Sequence, residues 1–183
     1  MGALLLVTVR HAARVILTVF LFVTVQQTLV LDIRIGGVHP DIMVLLPMAA
    51  GLVGGPGRGA TMGFGAGLAA DLFLPTPFGL SALVGCLVGF GVGLATVALD
   101  RSSWWLPTVA ALASSAAYEV AYAVFGSVLG EPQMLHVDLV RIVVLVSVVN
   151  ALLAVPATRL VGWALPEAST EGMPTSTSLL GMR

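Results

Sequence analysis

The chain has 183 residues, 58% of them hydrophobic and 9% charged, with a formal net charge of −1 and a mean hydropathy of +1.05. A water-soluble domain carries about 25% charged residues to wet its surface, so this composition excludes an ordinary soluble globule. The charge balance gives no electrostatic attraction to nucleic acid, and the single cysteine, Cys86, excludes an internal disulfide and any cysteine metal cage.

A helix crossing the hydrocarbon core needs about 20 apolar residues, with shorter spans tolerated inside a bundle. Arg10 and Arg14 precede an apolar run, Val15 to Leu31, longer than the roughly 7–15 residues of a secretory signal core. No small-x-small cleavage site closes that run, so it is expected to stay attached as a first span, about Ala12–Leu31. Two short spans follow, Pro40–Val53 and Gly59–Leu74, separated by Gly54-Gly55-Pro56-Gly57-Arg58. Such a glycine–proline cluster predicts a tight helical hairpin, with a tilted or re-entrant segment as the alternative for either arm. Phe78–Leu99, Trp104–Phe125 and Leu139–Leu165 complete a predicted all-α bundle of about six transmembrane helices. The stretch from Gly126 to Asp138 is expected along the membrane surface. Residues 1–165 form the predicted transmembrane domain, and 166–183, polar and poor in aromatics, a disordered cytoplasmic tail. With a cytoplasmic N-terminus, six spans put Arg10, Arg14, Arg58, Arg101, Arg159 and Arg183 inside and only Arg34 and Arg141 outside. That is the asymmetry of the positive-inside rule, and it leaves both termini cytoplasmic.

Within the spans, Gly59, Gly63 and Gly67 recur every four residues, as do Gly85, Gly89 and Gly93. Each series lines one helix face and lets another backbone approach, inside the bundle or across an intermolecular interface. Gly63-Phe64-Gly65 is no phosphate loop, because no strand precedes it and no lysine follows. Asp71 extends the first series by one step, and Asp41 lies at similar depth at the start of the second span. An ionised carboxylate costs at least about 2.5–3.5 kcal/mol at a helix centre, so each acid needs a partner or a proton. Ser115, Glu119 and Tyr122 form one polar stripe on the fifth span; Ser147, Asn150 and Ala154 form another on the sixth, after Asp138 and Arg141. The expectation is that Arg141 pairs with Asp71 or Asp41 in the outer half and that Glu119 and Asn150 meet deeper. Three readings of these groups stay open: structural glue, a small-ligand cavity open to the outside, and a seat for a partner's transmembrane helix. There is no nucleophile–base pair and no histidine pair at metal spacing, so no catalytic, cofactor-binding or metal-ligating residue is predicted. His11, His39 and His136 read as interfacial.

The order of Pro40-Asp41-Ile42-Met43-Val44-Leu45-Leu46, a glycine-rich run, Gly67-Leu68-Ala69-Ala70-Asp71-Leu72-Phe73, then Pro75 and Pro77, Phe78-Gly79-Leu80-Ser81-Ala82-Leu83 and Gly85-Cys86-Leu87-Val88-Gly89-Phe90 resembles the MreD family. These are small multispanning subunits of the bacterial rod-shape, or elongation, machinery. The likeness covers about the middle third, Pro40 to Gly93. It implies a non-enzymatic subunit of the bacterial cytoplasmic membrane, partnered by an MreC-like single-span protein and the peptidoglycan synthases. The MreB filament would be reached indirectly. No catalytic residues come with the resemblance; Asp71 and its neighbouring glycines match the motif. The alternative is a substrate-binding S component of an energy-coupling-factor vitamin transporter, a family similar in size and span number. Its Ala-x-x-x-Ala docking signature is missing here, since Ile16 and Leu17 stand four positions after Ala12 and Ala13.

Overall fold

The structure is a computed structural model that describes residues 2–30, 39–96, 103–131 and 139–165, with side chains of the first helix from Val9 to Thr28. Six α-helices and no strand occur among the described residues: α1 (Gly2–Val25), α2 (Leu45–Gly54), α3 (Pro56–Asp71), α4 (Leu80–Ala95), α5 (Leu106–Val128) and α6 (Leu139–Ala164), with a π-helical turn, Gln26–Val30, continuing α1. Three segments are long and apolar enough to cross a membrane: Val9–Thr28, Leu106–Val128 and Leu139–Ala164. Large apolar side chains cover their outward faces, among them Phe20, Val124, Val144 and Leu152. In water such a surface is an aggregation hazard; lipid removes the penalty.

α2 and α4 are shorter than the sequence suggests, while α3 keeps the expected 16 residues but starts at Pro56, not Gly59. α2 begins at Leu45, not Pro40, and has 10 residues, which span only about 15 Å. The residues before it, Pro40 to Val44, are not helical, because side chains from other elements occupy their backbone groups. α2 packs against α3, α4, α5 and α6 and is buried from Leu45 to Leu52. It is the centre of the molecule. Around it lies one continuous core that includes Leu46, Met48, Met62, Ala111, Ala154 and Val161.

Gly55, at φ +81°, turns the chain between α2 and α3, and Pro56 then starts α3 in the position where its missing N–H costs nothing. α3 and α4 make the most extensive contact in the fold. Their glycine series face each other. A Cβ at Gly85 would stand 2.7 Å from the Gly63 carbonyl oxygen, and one at Gly59 or Gly63 would collide with the backbone of Gly89 or Gly85. Gly51 of α2 joins the same seam, 2.6 Å short of the Gly89 oxygen by the same measure. Backbones thus touch where side chains would normally separate helices.

The chain runs back and forth, so one end of the bundle gathers the C-terminal ends of α1, α3 and α5 with the starts of α2, α4 and α6. At the opposite end the Arg14 guanidinium lies 4.7 Å over the Trp163 ring and donates to its carbonyl at 3.5 Å, fastening α1 to the end of α6. Arg58 borders the same region, beside Val15, Ile16 and Leu165. Arg34, Arg101 and Arg183, the greater part of the surface stretch after Glu131, and the tail 166–183 lie outside the described residues.

Candidate functional site

The end opposite the Arg14–Trp163 contact holds the polar groups, and two local structures build it. The first is the corner between α3 and α4. Asp71, the last residue of α3, is only 4% exposed, and its carboxylate accepts from the backbone N–H groups of Gly79 (2.8 Å), Ser81 (3.1 Å) and Ala82 (3.4 Å). A helix start leaves four N–H groups without intrahelical partners and carries partial positive charge. From the preceding helix Asp71 satisfies two of those of α4, Ser81 and Ala82, together with that of Gly79 just before it, so its carboxylate is held by backbone. Gly79, at φ +95°, supplies the left-handed turn that aims these N–H groups at the carboxylate. Thr76 and Tyr122 share a hydrogen bond of 2.8 Å that ties the corner to α5.

The second is the non-helical approach to α2. Gln26 of the π-helical turn donates to the Pro40 carbonyl at 3.1 Å and accepts from the Ile42 N–H at 3.0 Å, clamping both sides of Asp41. Asp41 accepts from the N–H of Met43 at 2.8 Å, an Asx turn that competes with helix. Asn150, fully buried on α6, donates to the Asp41 carbonyl at 2.7 Å and to the Ser115 hydroxyl at 2.9 Å. Irregular backbone at this depth is tolerated where protein satisfies it or where it borders a cavity. Both conditions hold here.

A cavity of about 400 Å³ lies against this segment. Gln26, His39 and Asp41 form one side, Ser81 and Phe73 of the capped corner another, and Tyr118, Glu119 and Tyr122 of α5 a third. The two tyrosine rings stack with centroids 6.0 Å apart. Ser81 is 0% exposed, and its hydroxyl faces the tyrosines without completing a hydrogen bond; the buried Nδ1 of His39 likewise has no partner. The lining offers carboxyl, hydroxyl and ring-nitrogen acceptors around an aromatic wall. No group of three metal-ligating side chains occurs among the described residues.

Of the five polar residues singled out from sequence, Asp41 and Glu119 line this cavity together. Asp71 and Asn150 stand behind it, each bound to backbone. Arg141 does not join them. It is exposed on α6, and the Asp71 partner is a set of three N–H groups rather than a guanidinium. Asn150 meets Ser115, one turn before Glu119, in place of the expected Glu119 contact. Sequence reasoning passed over Gln26 and Ser81 and read His39 as interfacial, whereas it lines the cavity. Gln26 and Gln27 are the only amide pair in an apolar run, which was the available signal. The glycine series are taken up inside the bundle: Gly59 and Gly63 face Gly89 and Gly85, Gly67 faces Ser81 and Ala82, and Gly93 faces Gly55 and Pro56, so an intermolecular role for these six has no free surface. Comparison with protein-family models, curated proteins and solved structures gives no match.

Proposed function

We propose that this chain is a non-enzymatic membrane subunit of the bacterial cell-elongation complex, an MreD-like scaffold whose six helices all lie in the cytoplasmic membrane with both termini inside. The observation that carries the proposal is a groove of about 670 Å³ along α1 and α3, almost entirely apolar. Its floor holds Thr61, Gly65 and Ala69, and a Cβ at Gly65 meets nothing within 4 Å. Helix association in lipid depends on close packing against small residues, so this groove suits the single transmembrane helix of an MreC-like partner. The stretch that carries the family resemblance also has a physical job: Asp71, Gly79 and Ser81 make one capped corner, and the glycines hold α3 to α4. The described arginines support the orientation, with Arg10, Arg14, Arg58 and Arg159 toward one end of the bundle and Arg141 toward the other.

Affinity purification of the tagged protein from native membranes in mild detergent tests the reading. Recovery of a single-span shape protein or wall synthases is the expected result. The cavity beside Asp41 and Glu119 favours a second reading, the S component of an energy-coupling-factor transporter. Recovery of paired ATPase subunits with a coupling membrane protein would establish that reading and overturn the first.

A further inference from the structure

We propose that the cavity between α1, α3 and α5 is a binding site for a primary ammonium group. Asp41 and Glu119 both line it, and among the described residues no arginine does. Arg14 is engaged with Trp163 at the far end, and Arg141 is exposed. Two carboxyl groups lining one cavity within the bundle favour protons or a cation over two bare charges. Independently of the acids, the Ser81 hydroxyl, 0% exposed, and the buried Nδ1 of His39 border the same space without a hydrogen-bond partner. Buried polar atoms are seldom left unpaired, and these two mark the place where a ligand's donors belong.

An ammonium group carries three N–H donors and no acceptor, the complement of this lining. Phe73, Tyr118 and Tyr122 add ring faces that attract a cation. An anion would meet two carboxyl groups, and His39, Asp41 and Glu119 do not come together as a group able to hold a metal ion, nor do any other three such side chains among the described residues. At about 400 Å³ the cavity holds far more than ammonia, so the group arrives on a larger molecule. Val23 and Phe73 border both this cavity and the apolar groove along α1 and α3. An amine-headed lipid would therefore seat its head among the acids with a chain in the groove, whereas a free amine would use the cavity alone. The inference concerns the isolated protein and does not depend on which complex it joins.

The test uses the purified full-length chain in phosphatidylglycerol nanodiscs. Phenethylamine is titrated while thermal unfolding is followed, with phenylethanol as the neutral control. In parallel, native mass spectrometry reads retention of phosphatidylethanolamine against phosphatidylglycerol. A rise in unfolding temperature with phenethylamine alone assigns a free amine; a retention ratio of at least about 10 in favour of phosphatidylethanolamine assigns the lipid. In either case Glu119→Gln and Ser81→Ala should each weaken binding about tenfold, with the unfolding temperature of each unliganded variant as the control for folding. The absence of both effects in the wild type overturns the proposal. So does undiminished binding in both variants, or binding that emerges only in Arg34→Gln, which would give the site to the chain's own guanidinium.

Discussion

Asp71 converts one side chain into the start of a helix. Its two oxygens serve three N–H groups, so Asp71→Ala strands donors where water is scarce. At about 1–3 kcal/mol for a buried donor left unsatisfied, the substitution should destabilise the protein by at least about 2 kcal/mol, read as earlier unfolding in mixed micelles of increasing denaturing detergent. Asp71→Asn keeps one acceptor oxygen and should fall between the two. Asn150→Ala cuts the tether from α6 to the Asp41 carbonyl; the expected result is faster backbone hydrogen exchange at Ile42 and Met43, with a stability loss of about 1–2 kcal/mol. The importance of these residues was legible in the sequence, since acids and amides are expensive among apolar neighbours. Their partners were not. A sequence names charged side chains as candidates, so it pairs Arg141 with Asp71 or Asp41; the N–H groups that actually hold Asp71 belong to Gly79, Ser81 and Ala82 and are invisible until the corner is folded.

The helices divide by what they touch. Three long ones present apolar faces outward, while α2 is enclosed and α3 and α4 are joined through glycine. Four-residue spacing picked out the faces of α3 and α4 that meet, because helical periodicity alone places such residues in line. The start of α2 was misplaced by five residues, since apolar content from Pro40 onward reads as helix while Gln26 and Asn150, remote in sequence, claim its backbone. The seam makes a paired prediction. Gly63→Leu forces α3 and α4 apart and should lower membrane accumulation several-fold on quantitative immunoblots. Gly65→Leu, two residues away in open space, should leave accumulation unchanged. Equal behaviour of the two variants would mean that the seam does not govern assembly.

For the molecule as a whole, the groove along α1 and α3 is the surface on which a partner helix is proposed to rest. Gly65→Trp fills that groove, so it should abolish recovery of a single-span partner while the protein itself accumulates normally. A single cysteine at Ala69, placed in a Cys86→Ser background, should form a crosslink to the same partner. Retained partner recovery in Gly65→Trp would move the interface to another face.

The enclosure of α2 also bears on how the chain is made. A segment of ten residues is too short to partition stably from a translocation channel on its own, and α3, glycine-rich and only weakly apolar, offers it little help. Their stability in lipid comes from α4, which is synthesised later, so the early hairpin must wait, half-committed, for its other half. In a ribosome-stalled nascent chain ending near Phe73, α1 already anchors the chain, but Met48→Cys in α2 should stay open to a membrane-impermeant thiol reagent, whereas in a chain that includes α4 the same position should be shielded. Biogenesis would then proceed by insertion of a preassembled trio, not one span at a time.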